Sequence, residues 1–181
     1  MSKAIKKIIA VAMCSVMMLS FFTISNKFSN ASLTANAAIS TCQTLRVGSR
    51  GTQVKYLQRN LNTLGYNCGA VDGIFGYGTR NALARFQREY INAHLITNTD
   101  GVADPGTICF MNNVCIQIQQ ILKRAGYNPG EIDGILGSQS INAIRNFQRD
   151  YGLLVDGIAG PRTISKFYEI GPRVGYLFLL Y

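Results

Sequence analysis

Apolar side chains return at three- and four-residue spacing in two comparable places. Val54, Leu57, Leu61 and Leu64 form one stripe, and Cys115, Ile118, Leu122 and Ala125 form another. That period marks an amphipathic helix with one face turned to a core, and Gly65 and Gly126, which follow directly, supply a C-terminal stop. Further on, Ala82, Leu83, Phe86 and Tyr90 are matched by Ala143, Ile144, Phe147 and Tyr151, predicting helices over about 77–91 and 138–151. Between the helices of each pair lies a glycine-rich turn, 67–76 and 128–137, holding Asp72-Gly73-Ile74 and Asp133-Gly134-Ile135. Asp-Gly signals a turn because Asp bonds the neighbouring backbone while Gly accepts positive φ. A short closing helix is announced by Asp104-Pro105 and by Gly160-Pro161, since Pro suits the first helical position and Asp104 can cap it.

These patterns are one pattern written twice. Residues 65–90 align without a gap on 126–151, an offset of 61, with 14 of 26 positions identical. A fixed period of this kind means two copies of one supersecondary unit. After the second helix the copies diverge: the first passes through 91–99, including His94, before Asp100-Gly101, whereas the second needs only 152–155 before Asp156-Gly157. The five-residue difference marks a surface loop. Asn112 and Asn113 alone separate the closing helix of one copy from the opening helix of the next. The expected fold is therefore all-α, a tandem of two small three-helix domains over 45–111 and 112–170, preceded by a segment at 38–44 and followed by an apolar tail at 171–181.

Residues 1–37 read as a secretory signal peptide: Lys3, Lys6 and Lys7 are followed by an uncharged apolar run over 8–24 and by Ala35-Asn36-Ala37, a small-residue cleavage site. The run is only slightly short of the ~20 residues that cross a bilayer, so the alternative is an uncleaved membrane anchor; with the small-residue site cut, no stable membrane insertion is expected. Removing the leader leaves 14 basic against nine acidic residues, a net charge of +5. This favours loose association with anionic wall polymers, and the basic residues are too scattered to suggest nucleic acid. Cys42, Cys68, Cys109 and Cys115 remain, an even number that favours disulfides in an exported protein. Three connectivities are open; the expected pairing is Cys42 with Cys68 and Cys109 with Cys115. No metal or other cofactor is expected, because zinc spacing is missing, His94 is the single histidine, and the Asp-Gly turns lack the oxygen ligands of a calcium loop.

The run D-G-I-x-G, then N-A-x-x-x-F-Q-R-x-Y, then D-G-[VI]-A-x-P-x-T occurs in both copies. It resembles the type 1 three-helix peptidoglycan-binding domain found beside bacterial cell-wall hydrolases, and the likeness covers nearly all of 45–170. Leu45-Arg46-Val47-Gly48-Ser49-Arg50-Gly51 fits the family's opening, which the second copy lacks. The resemblance implies a secreted, non-catalytic helical module that holds peptidoglycan or a related cell-wall polymer. The family usually carries Trp after Pro-x-Thr; here Ile108 and Ile164 stand there, either filling the core less fully or removing a surface on which sugar rings stack.

No catalytic residues are expected. His94 is the sole candidate base, the cysteines are expected to pair, and Asp72, Asp133 and Asp156 read as turn residues, although two carboxylates would suffice for glycosidase chemistry. The alternatives are a cell-wall hydrolase or its targeting subunit, with a hydrolase as partner, and a structural or protein-interaction component of the envelope or spore. For binding, an aromatic face with convergent polar groups points to Tyr66, Tyr77, Arg80 and Asn81 in the first copy and to Tyr127 and Asn142 in the second, where Ile141 replaces the arginine; the alternative is that these Tyr and Asn residues support the turns and helix packing. The apolar tail is expected to cover a seam between the repeats.

Overall fold

The computed structural model describes residues 43–91, 96 and 98–174; the predicted leader, Cys42, His94 and residues 175–181 of the tail lie outside them. Among the described residues there are five α-helices, α1 (Thr52–Thr63), α2 (Tyr77–Tyr90), α3 (Pro105–Arg124), α4 (Ser138–Asp150) and α5 (Pro161–Ile170), and a closing 3-10 turn over Gly171–Val174. The predicted stripes are the buried ones: Val54, Leu57 and Leu61 on α1, Ala82, Leu83 and Phe86 on α2, and Ala143, Ile144 and Phe147 on α4. Each opening helix stops where the glycine allows it. At Gly65, with φ +93, the Gly65 amide donates to the Asn62 carbonyl at 3.1 Å and the Tyr66 amide to the Leu61 carbonyl at 2.8 Å, the paired bonds of a Schellman cap. Gly126 and Tyr127 repeat it on the Lys123 and Leu122 carbonyls.

Where two helices are predicted on either side of Asn112-Asn113, there is one. Asp104 caps α3 by accepting from the Thr107 amide at 2.6 Å, Pro105 occupies the first turn, and the helix runs unbroken to Arg124. Asparagine is a modest helix former but no breaker, and Met111, Val114, Cys115, Ile118, Ile121 and Leu122 are buried in one continuous helical register. The packing on both sides overrides the local signal. The closing helix of the first copy and the opening helix of the second are the same rod, about 30 Å long.

The turns are held to the helices by a buried glutamine that recurs four times. On α1, Gln58 donates through Nε2 to the Asp72 carboxylate (2.9 Å), the Ile74 carbonyl (3.1 Å) and the Thr79 hydroxyl (3.2 Å), and accepts through Oε1 from the Gly73 amide at 2.8 Å. Gln119 does the same with Asp133, Ile135, Ser140 and Gly134, and Gln148 with Asp156, Ile158, Thr163 and Gly157. Gln87 holds Val102, Thr107 and Gly101. All four glutamines are at most 1% exposed, so a single carboxamide satisfies several otherwise orphaned groups at once. The turn glycine is needed for space as well as for φ: a Cβ on Gly101 (φ +76) would sit 2.5 Å from the Arg80 carbonyl oxygen.

The second copy lacks the opening segment, and α1 supplies what that segment would have given. In the first copy the Gly51 amide donates to the Gly73 carbonyl and the Phe75 amide to the Ser49 carbonyl, both at 2.9 Å. At the corresponding positions of the second copy, Asn60 Nδ2 donates to the Gly134 carbonyl and the Leu136 amide donates to Asn60 Oδ1, again at 2.9 Å. The asparagine side chain replaces a stretch of backbone. Likewise the Ala103 amide donates to the Leu45 carbonyl, and its counterpart Ala159 donates to the Thr63 carbonyl at 2.7 Å.

The expected pairing of Cys109 with Cys115 does not form; both thiols are free. Six residues apart on one helix, their Cα atoms are separated by about 9 Å of axial rise, beyond the reach of a disulfide. Cys109 is exposed and Cys115 buried. Cys68 is also a free buried thiol, 3.5 Å from the Gln58 carbonyl, and its expected partner Cys42 lies outside the described residues. Burial pushes the Cys68 and Cys115 thiols up.

Candidate functional site

The six residues expected to bind do not converge. Tyr66 and Tyr127 follow the Schellman caps directly and turn inward, each ring edge-on to a core phenylalanine, 5.5 Å from Phe86 and 5.7 Å from Phe147. Their hydroxyls donate to Glu89 at 2.5 Å and to Asp150 at 2.9 Å. Burial, reinforced by the neighbouring carboxylate, raises both phenols well above the ordinary tyrosine value, so they act as neutral donors within the fold. Arg80 is committed to the second turn: its Nε donates to the Asp100 carbonyl at 3.1 Å and its stem covers Gly101. Ile141 covers Gly157 in the same way, which is how an arginine and an isoleucine exchange between copies. Tyr77, 71% exposed, and Asn81 stand free on one face of α2, and Asn142 is exposed on α4, accepting from Arg145 at 3.3 Å.

The aspartates of the turns are engaged in the backbone. Asp72, Asp133 and Asp156 each accept from the amide two residues on, at 2.8 Å, besides their glutamine. The Gln58 carboxamide, and after it the Ile74 amide, hold the Asp72 carboxyl below the ordinary carboxylate range. Ile108 and Ile164, at the positions of the family's tryptophan, are half-buried against the core, which fits packing. Among the described residues no three metal-ligating side chains come together, and no helix is long and apolar enough to cross a membrane.

The surface of the described residues carries open hollows. One, of about 320 Å³, is bordered by Leu45, Ser49, Arg50 and Gln53 beside the opening segment. A larger one, of about 480 Å³, lies between the copies: Tyr56 and Arg59 of α1 face Glu131, Asp133, Ser138 and Gln139. None of the six expected residues lines either. The pattern D-G-[IV]-x4-[ST], which occurs four times, at Asp72, Asp100, Asp133 and Asp156, marks each turn as a docking partner for a glutamine-bearing helix, and for the third turn that helix is α3. No local signal points to α1, which this turn reaches through Asn60.

A family model described as a putative peptidoglycan binding domain matches residues 50–111 and again 113–167. Among curated proteins, an N-acetylmuramoyl-L-alanine amidase of Mycobacterium tuberculosis is 34% identical over 104 residues, 58% of this chain and 24% of its own length. A probable N-acetylmuramoyl-L-alanine amidase of Bacillus licheniformis is 28% identical over 173 residues, 78% of this chain and 49% of its own. A spore cortex-lytic enzyme of Bacillus cereus is 46% identical over 48 residues, 26% of this chain and 18% of its own. The chain thus spans less than half the length of each of these relatives. No solved structure matches it.

Proposed function

The chain belongs to the putative peptidoglycan binding domain family, in two tandem copies, and from that premise we propose that it is an exported, non-catalytic module that holds peptidoglycan at the cell wall. The double family match is the observation that carries this reading. The net charge of +5 after removal of the predicted leader adds a salt-sensitive attraction to an anionic wall. The acidic side chains of the turns serve the fold, which supports a binding role over a hydrolytic one. The relatives' names favour a second reading, in which this module brings a cell-wall hydrolase to its substrate.

Cosedimentation of the purified protein with cell-wall sacculi at low and high salt tests the first reading. Retention that survives high salt is expected; retention abolished by moderate salt would reduce the interaction to nonspecific charge. Incubation with labelled peptidoglycan tests catalysis: soluble fragments released by independent preparations, and lost on mutating one carboxylate, would make the protein a hydrolase.

A further inference from the structure

The hollow between the copies is built for a ligand that carries both signs of charge. Arg59 stands on one wall, Glu131 and Asp133 on the other, and neither carboxylate is ion-paired with Arg59, whereas Lys166 and Glu169 do pair elsewhere on the surface. Opposite charges share a hollow without neutralising each other. Tyr56, 39% exposed, adds an aromatic side chain and Ile135 an aliphatic one, and Ser138 and Gln139 add hydrogen-bonding groups. Asn60, whose two bonds fix Gly134 and Leu136 against α1, holds the two walls at a set distance, so little ordering is needed on binding. About 480 Å³ falls within the range of small-ligand sites.

We propose that this hollow binds the peptide part of the wall polymer: a short peptide bearing a free carboxylate, which Arg59 receives, and a free amine, which Glu131 receives, with a small apolar side chain against Tyr56. A neutral sugar ring would leave Arg59 and Glu131 without counter-charges. This assignment rests on the peptidoglycan reading above. It also makes the site a property of the tandem, since α1 of the first copy and the third turn of the second each supply half.

The test compares retention of the full chain on intact sacculi and on glycan strands stripped of peptide, for the unaltered protein and for R59Q, E131Q and Y56A. Glu131 enters the fold through its main-chain carbonyl, which accepts from Gln119 at 2.8 Å, so E131Q preserves the turn; thermal midpoints confirm that each variant folds. R59Q and E131Q are expected to weaken binding to intact sacculi at least tenfold, and the stripped strands to bind the unaltered protein no better than the variants bind sacculi. The two substitutions change net charge in opposite directions, so nonspecific attraction would move them apart, and a gain for E131Q alongside a loss for R59Q would overturn the proposal. Equal binding to stripped and intact strands, or folded variants that bind like the unaltered chain, would also overturn it while leaving the peptidoglycan reading standing. No retention of the unaltered protein on sacculi would overturn both.

Discussion

Replacing Asn60 by alanine should unseat the second copy more than any surface change of similar size. Asn60 is 2% exposed and Leu136 fully buried, and the substitution leaves the Gly134 carbonyl and the Leu136 amide without partners. Each buried group left unsatisfied costs about 1–3 kcal/mol, so the loss is about 2–6 kcal/mol, or about 1–3 kcal/mol if water enters the gap to bond one of the two. For a domain of this size about 3 °C of midpoint accompanies each kcal/mol, which gives a fall of about 10 °C by circular dichroism. N60I sharpens the test: Ile121 is the residue that the second copy carries at this position, so the apolar volume is suitable, but both backbone groups are still orphaned and the variant should lose nearly as much as N60A. N81A, at an exposed position, should stay within about 0.5 kcal/mol. Native-state hydrogen exchange reads the same event locally, as lost protection at the Leu136 amide. An N60A protein within about 0.5 kcal/mol of the unaltered one, or a Leu136 amide as protected as before, would refute the joint.

Two further outcomes follow from the surroundings of single groups. Alkylation of the native protein followed by peptide mapping should modify Cys109, while Cys68 and Cys115 react only after unfolding; modification of Cys115 at the rate of Cys109 would contradict the packing of α3. Because the Asp72 carboxyl is held below its ordinary value, its contribution to stability is present above about pH 4 and is lost as pH falls through the lower folded value. The thermal midpoint should drop over that acid range, less steeply in D72N; parallel curves for the two proteins would remove Asp72 from the account.

The helices were legible because their information is local. Stripes at Val54 to Leu64 and at Ala82 to Tyr90 need only the helical period, and the predicted ends of α2 and α4 fall one residue beyond the observed ends, Tyr90 and Asp150. The break at Asn112-Asn113 was misread for the same reason: two asparagines look like a boundary locally, whereas the register from Met111 through Leu122 runs on in phase. Gln58, Gln87, Gln119 and Gln148 each follow an apolar residue and pass for the solvent side of their helix, since their burial depends on a turn 9–15 residues away. Asn60 was beyond local reading altogether, with partners 74 and 76 residues distant; only its alignment with Ile121 hints that one copy needs an amide there. The repeated Tyr66 and Tyr127 were visible as a pair, but repetition does not say whether a ring faces the core or a ligand; in the fold each ring edge meets a core phenylalanine and each hydroxyl a carboxylate.

The shared helix changes what the duplication can mean. Two domains on a flexible linker would unfold separately and gain from effective concentration over the whole range of site spacings that the linker can span. Here α3 belongs to both copies, and Asn60 and Thr63 of the first complete the turns of the second. The second copy without α1 loses the partners of Gly134, Leu136 and Ala159 and uncovers the surface that α1 packs on, which couples the folding of the two copies. The described residues should therefore melt in one cooperative transition, with equal calorimetric and van't Hoff enthalpies, and N60A should broaden or split it by letting the second copy open first. Two separated transitions in the unaltered protein would mean that the joint transmits little, and would return the repeats to the status of beads on a string. With a single transition, the two faces meet the wall as one rigid body. Their spacing is then fixed by α3, and tandem binding gains only where the polymer offers sites at that spacing.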